Sequence, residues 1–390
     1  MLDWRRMSTA TPTATSRSLL GLQEPTAITA VATITPVPVT PTATAAPIFP
    51  PSVADDATIR DSVIEDNDAP TGGGVYSRGH LALYNVLVRH NRAVDTAEML
   101  CCSDGVGLEP SGGGVYSAGT LTLFDSQVVS NTASVYGGGI ANNGSGGYSS
   151  GTLVLEGSTV SGNMSYGRGG GIANGILDYV YAFRREQLWL INSTVSGNVA
   201  DGSGGGIYTG LGEFNRVILD NATITANVAD ADGNGEGDGG GLFNRLGQVQ
   251  LRNSILAANQ DHSQGTQRPD CWTPRRLDSR GYNLIGDAST CPLDGITVGN
   301  LLGVDPRLGP LQDNGGSTQT HSLLAGSPAV DAGNPNGCMS DPYRLLIVDQ
   351  RGYMRPVDGT GNWQAVCDIG AFEFKAMPVS YRFLPLLWVY

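Results

Sequence analysis

Apolar and polar positions repeat along this chain in a fixed frame. Seven segments align without a gap on a terminal asparagine: Asn67, Asn91, Asn131, Asn163, Asn198, Asn227 and Asn259. Ten residues earlier stands Ala57, Leu81, Leu121, Leu153, Leu188, Val217 or Val249, and eight earlier Ile59, Leu83, Leu123, Leu155, Leu190, Leu219 or Leu251. Three earlier stands Ile64, Val88, Val128, Val160, Val195, Ile224 or Leu256. The first two columns alternate as a strand does, and the mainly β-branched third column marks another strand. A triple glycine starting at Gly72, Gly112, Gly137, Gly169, Gly204 or Gly239 opens a third, with Val75, Val115, Ile140, Ile172, Ile207 or Leu242 facing inward.

Three short strands per unit, at spacings of roughly 25–40 residues, describe a solenoid. No copy buries its apolar columns alone, so the core must come from stacking. The asparagines then form a ladder of side-chain amides at the ~4.8 Å strand spacing. The glycines supply bends that a Cβ would block. The expected fold is all-β, a parallel β-helix of about seven regular coils.

Outside the repeats the pattern changes. Residues 1–53 are dominated by Thr, Pro and Ala, bury too little apolar surface to fold, and read as a disordered linker or stalk. The repeats occupy 54–262, a C-terminal module 263–374, and a tail and possible anchor 375–390. Within the module, 281–286, 305–316 and 320–333 read as degenerate further turns. Insertions fall at two registers: 92–111 and 228–238 after ladder asparagines, and 143–151, 175–187 and 210–216 before the Leu-x-Leu strand. The 175–187 insertion carries Ile176, Leu177, Tyr179, Val180, Tyr181 and Phe183, and is expected to cover the apolar outward column Val154, Trp189 and Ile218.

Charge narrows the partners. The net charge of −13 disfavours nucleic acid and anionic membranes, and the only lysine is Lys375. The apolar run 383–390 is too short to span a bilayer. Met1–Ser18 shows no apolar signal-peptide core. No triple glycine precedes the first repeat, whose strand edge would be uncapped, so a truncated start is expected.

The segments Asp270-Cys271, 281–286, 305–316, 326–333, 349–352 and the CDIGAFE of Cys367–Glu373 resemble the choice-of-anchor Q domain. That domain is a bacterial surface-protein module that follows β-helix repeats. The repeats themselves, GGGI with S-x-V-x-x-N, resemble those of polymorphic outer-membrane proteins. Together the resemblances span about residues 57–374. They imply a right-handed β-helix in an exported or cell-surface protein, and no defined enzymatic activity.

Candidate chemistry is sparse. None of the triple glycines is followed by Lys-Ser/Thr, so they are turns rather than phosphate loops. Asp230, Asp232, Asn234, Glu236 and Asp238 have oxygen ligands spaced like part of a calcium loop, but Gly241 stands where the bidentate glutamate belongs. No cofactor is required, and Ca2+ is the one candidate. Six cysteines suit an oxidising compartment. Cys271 with Cys291 and Cys338 with Cys367 are the expected disulfides, each pair lying close within the module; the adjacent Cys101 and Cys102 form a vicinal bridge or pair with another chain. Asp331, Asp349, Arg351, Arg355, Asp368 and Glu373 are expected to lock the module through Arg–carboxylate pairs, with a catalytic acid pair as the alternative. His321 is expected to cap a turn.

The outward columns two and one before each asparagine are charged only on the first two coils, at Glu65-Asp66 and Arg89-His90. Later coils carry small neutral residues there, as at Ser161-Gly162 and Ser196-Gly197, which predicts a flat surface without an acid–base pair. The expected function is therefore non-enzymatic adhesion or glycan contact, with an extracellular or cell-surface polysaccharide as partner. The alternative is a polysaccharide lyase or glycoside hydrolase of pectate-lyase-like fold.

Overall fold

The aligned columns become stacked strands. A computed structural model describes residues 34–36, 56–94, 109–144, 150–176, 185–341 and 344–379, and all regular structure among them is β. Cys101, Cys102, nearly all of 1–53 and most of the tail lie outside the described residues. The chain winds into a parallel β-helix with three faces.

The longest face holds the first two predicted strands of each coil. Leu121, Leu153, Leu188, Val217 and Val249 stand in one register, as do Val128, Val160, Val195, Ile224 and Leu256. All ten are buried. Between the two strands the chain bends through left-handed residues such as Asp125, Asn192, Asn221 and Asn253, with φ from 44 to 52°. Asx side chains tolerate that region better than other non-glycine residues. The six triple-glycine strands, from Val75–Ser77 onward, and Cys271–Trp272 after them form a seven-stranded second face. A third face, also of seven strands, was not expected: it is built by the two residues following each ladder asparagine, as in Val199–Ala200. Two residues are too few for alternation to reveal a strand.

At Gly204–Gly206 each glycine answers a different constraint. Gly204 has φ 74°; a Cβ on Gly205 would meet the Val228 carbonyl oxygen at 2.3 Å; one on Gly206 would meet the Gly241 carbonyl oxygen at 2.6 Å and the Asn227 amide at 3.0 Å. The third glycine thus makes room for the ladder. Each ladder Nδ2 from Asn67 to Asn227 donates to the next asparagine Oδ1 at 2.8–3.0 Å. The same oxygen accepts the preceding asparagine's backbone N–H, as from Asn163 to Asn198 at 3.0 Å. A parallel serine column adds a second ladder, with Ser126 N–H donating to Ser158 Oγ and Ser158 N–H to Ser193 Oγ, both at 3.1 Å.

The asparagine ladder ends on an acid. Leu256 pairs with Ile285, so the next step falls at Ala288, which has no side-chain amide. Asp270, standing where earlier coils have their third glycine, supplies the missing acceptor. Its Oδ1 accepts the Asn259 backbone N–H at 3.0 Å and Nδ2 at 2.9 Å, and its Oδ2 accepts Asp287 N–H at 2.6 Å. The adjacent Cys271–Cys291 disulfide ties this end together.

Two coils continue past Asn259, through Leu277–Arg280 with Leu284–Ile285 and Leu293–Ile296 with Leu301–Leu302. The 281–286 stretch is therefore a further turn, as expected. The other two stretches are not. Leu308–Gln312 and Thr320–Leu323 pair as an antiparallel hairpin, and the chain from there to 379 folds back over the long face. The first coil's edge is not bare either, since Ile34–Pro36 pairs antiparallel with Ser62–Ile64.

Candidate functional site

The fold-back segment changes the meaning of the small outward residues. In the column two before each asparagine Ser161, Ser196, Thr225 and Ala257 are buried, and with Thr159, Thr194 and Asn253 they form the bed on which the segment lies; Gly162, Gly197, Ala226 and Ala258, one before the asparagine, stay exposed. Thr159 Oγ1 donates to the Gln319 carbonyl at 2.7 Å, Thr194 Oγ1 to Gln350 Oε1 at 2.6 Å, and Asn253 Nδ2 to the Asp368 carbonyl at 2.7 Å. Gln350 Nε2 in turn donates to Thr159 Oγ1 at 2.8 Å. Long or charged side chains in these columns would hold the segment off. Serine and threonine fit beneath it and supply polar partners.

His321 belongs to this interface and does not merely cap a turn. Its Nδ1 lies 2.7 Å from the Gly309 carbonyl, which only accepts, so Nδ1 carries the hydrogen. Nε2 then accepts from Ser196 Oγ, also at 2.7 Å. Burial pushes the imidazole pKa below its ordinary value. Ser196 and His321 are geometrically a hydroxyl and its base, but with 2% and 8% exposure they lie under the segment.

The predicted lock is assembled. Arg351 Nη2 meets Asp349 Oδ2 at 2.6 Å, with Nε on the same oxygen at 2.9 Å. Arg355 Nε donates to Glu373 Oε2 at 3.1 Å, its Nη2 to the Asp368 carbonyl at 2.9 Å, and its Nη1 to Asn192 Oδ1 on the β-helix at 3.0 Å. Asp331 accepts the N–H groups of Gly359 and Thr360. Burial and then the charge of Glu373 push Asp368 up, and burial pushes Glu373 up as well. These acids are spent on backbone N–H groups and on Arg355, with no solvent-facing edge. The Cys338–Cys367 disulfide closes the same region, so both expected disulfides are formed.

A further set of carboxylates lies along the seam. Asp125 is pushed up to about 6 by burial and by neighbouring Glu156, which is itself paired with Arg344 of the fold-back segment at 2.9 Å. Asp220, fully buried, is pushed up to about 6 by burial while its Oδ2 accepts the Asp341 N–H at 2.7 Å.

The calcium-loop residues are mostly occupied by the loop itself. Both Asp230 oxygens accept Gly235 N–H, Asp232 accepts the backbone and side-chain N–H groups of Asn234, and Asn234 Oδ1 accepts Glu236 N–H. Asp238 is ion-paired with Arg268. Asp201 from the preceding coil, raised by burial and then by Asp232 and Asp230, adds to the acidic patch. Among the described residues no group of three or more His, Cys, Asp or Glu side chains is placed to hold a metal ion.

An aromatic stripe escaped the sequence reading. The outward residue of the triple-glycine strand is Tyr76, Tyr116, Ala141, Ala173, Tyr208, Phe243 and Trp272 in successive coils. Tyr76 stacks on Tyr116 at 5.2 Å, Tyr208 on Phe243 at 5.5 Å, and Phe243 on Trp272 at 4.6 Å between ring centroids. Tyr136 fills the space over the two alanines, 6.1 Å from Tyr208. The guanidiniums of Arg78, Arg168 and Arg268 lie 5.5–5.9 Å from the rings of Tyr76, Tyr208 and Trp272. The recurring GGGVY, GGGIY and GGGLF contained the signal. Ile176, expected over Val154, Trp189 and Ile218, packs in this aromatic cluster instead, and residues 177–184 of that insertion lie outside the described residues.

No family model, curated protein or solved structure matches the chain. Among the described residues no helix is long and apolar enough to cross a membrane.

Proposed function

We propose that this chain is a non-enzymatic secreted or cell-surface β-helix protein that makes adhesive contact with glycans. The observation that carries the reading is the aromatic stripe with arginines alongside. Half-buried Tyr76, Phe243 and Trp272 present the edges of stacked rings to solvent at coil spacing, and guanidiniums lie beside the end rings Tyr76 and Trp272. Two disulfides suit an oxidising, exported setting, and the resemblance to choice-of-anchor surface modules points the same way.

A second reading, polysaccharide cleavage, has one observation in its favour: Asp125, raised to about 6, beside Glu156. Two neighbouring carboxyl groups, one of them with a raised pKa, are what glycoside hydrolysis uses. Arg344 on Glu156 argues for a structural role. The test is to present purified protein to a glycan array and assay the bound glycans for new reducing or unsaturated ends. Retention without cleavage, lost in the Phe243→Ala, Trp272→Ala double variant, is expected. Release of ends that stops on Asp125→Asn would overturn the proposal in favour of the enzyme.

A further inference from the structure

The fold-back segment stops short of the first coils, and its edge forms a cleft. Register sets Leu87 beside Gln127 and Arg89 beside Val129, a checkerboard of apolar and polar side chains on the second and third coils. The turn Asp313–Gln319 rises along one side. Together with His90 these residues bound a cleft of about 390 Å³. That lies within the ~300–1,000 Å³ of small-ligand sites.

The polar groups around it have capacity to spare. Arg89 gives Nε to Glu65 at 2.6 Å, and among the described residues its two Nη groups make no hydrogen bond. His90 Nδ1 lies 3.9 Å from Asp66, beyond hydrogen-bond reach. Asp313 Oδ1 accepts Gly315 N–H at 2.8 Å, while Oδ2 has no partner among the described residues. Gln127 makes only two long contacts, each 3.4 Å, to the backbone of Ser317 and Gln319. The Ser317 hydroxyl and the Gln319 side-chain amide make no hydrogen bond among the described residues.

We propose that this cleft binds a carboxylate-bearing sugar residue. The guanidinium edge of Arg89, with His90 beside it, takes the carboxylate in charge-assisted hydrogen bonds. Asp313, Ser317, Gln127 and Gln319 meet ring hydroxyls, and the C–H face of the ring rests on Leu87 and Val129. A free acid without hydroxyls would leave the turn unsatisfied; a neutral sugar would leave Arg89 unsatisfied. The proposal takes its ligand class from the glycan-contact reading but uses a different face from the aromatic stripe.

The two are separable by experiment. Full-length protein is titrated with methyl glucuronide, and with methyl glucoside as the neutral control, by ligand-observed NMR. Saturable binding of the glucuronide is expected, about tenfold or more weaker in Arg89→Gln and unchanged in the Phe243→Ala, Trp272→Ala variant. Gln127→Glu, which leaves Arg89 and Glu65 in place but adds an anion to the cleft, should abolish it. Equal binding of glucuronide and glucoside, or a glucuronide response indifferent to both cleft variants, overturns the cleft. Glucuronide binding without any array binding leaves the cleft standing and overturns the stripe.

Discussion

The same outward column behaves differently at the two ends of the β-helix. On the second coil it presents Arg89, half exposed and paired with Glu65; on the fourth and fifth it presents Ser161 and Ser196, both buried. The backbone is the same in each place. What differs is the cover: solvent over the second coil, the chain's own fold-back segment over the later ones. In this column the small neutral residues Ser161 and Ser196 mark the internal docking bed, and Arg89 marks where the cover ends.

The largest contrast should come from removing a cation in each region. Arg355 is fully buried between Glu373, the Asp368 carbonyl and Asn192, so Arg355→Met strands buried acid and should destabilise the protein by about 3–5 kcal/mol. Arg89→Gln removes a solvent-screened pair and should shift stability by about 1 kcal/mol or less. Chemical denaturation of the two variants side by side measures the gap; equal effects would deny that the segment is docked as described.

A smaller contrast lies in neutral side chains. Thr194→Val leaves Gln350 Oε1 without its 2.6 Å donor and should cost about 1–3 kcal/mol. Val129→Thr, beside the open cleft, should change stability by about 0.5 kcal/mol or less.

The edge of the cover should also be visible in pH dependence. Asp125 is raised from 3.8 to about 6, so the folded state holds its proton more tightly than the unfolded state does. Its contribution is fully present below 3.8 and is lost as pH rises through about 6. Asp125→Asn should therefore raise the melting temperature relative to wild type near pH 7.5 more than near pH 4, about where both states begin to hold the proton. A uniform shift across that range would remove Glu156 and burial as the cause.

Much of this was legible in the sequence, and the exceptions have physical reasons. The inward columns and the asparagine ladder could be read because stacking demands the same residue type at every step. The module's Arg–carboxylate lock was foreseen through its motifs. The docking bed was not, because serine and threonine suit either solvent or a close-packed segment; only their contrast with Glu65-Asp66 and Arg89-His90 held a hint. Asp270 replacing the amide missing at Ala288 joins positions that no repeat alignment pairs. The calcium-like spacing could not be separated in sequence from a self-satisfied turn, because alternate Asp and Asn side chains in a tight turn also satisfy their own backbone, as Asp232 and Asn234 do here.

The docked fold-back segment is tested most directly by thiol accessibility in a single column. Ser161→Cys and Arg89→Cys introduce cysteines at equivalent positions two coils apart, one beneath the segment and one beyond it. Labelling by a small maleimide, followed at each site by peptide mass spectrometry with the native disulfides intact, reads the cover itself. The account predicts rapid modification at position 89 and modification on the order of 100-fold slower or more at position 161, set by opening of the segment. Comparable rates at the two positions in folded protein would contradict it.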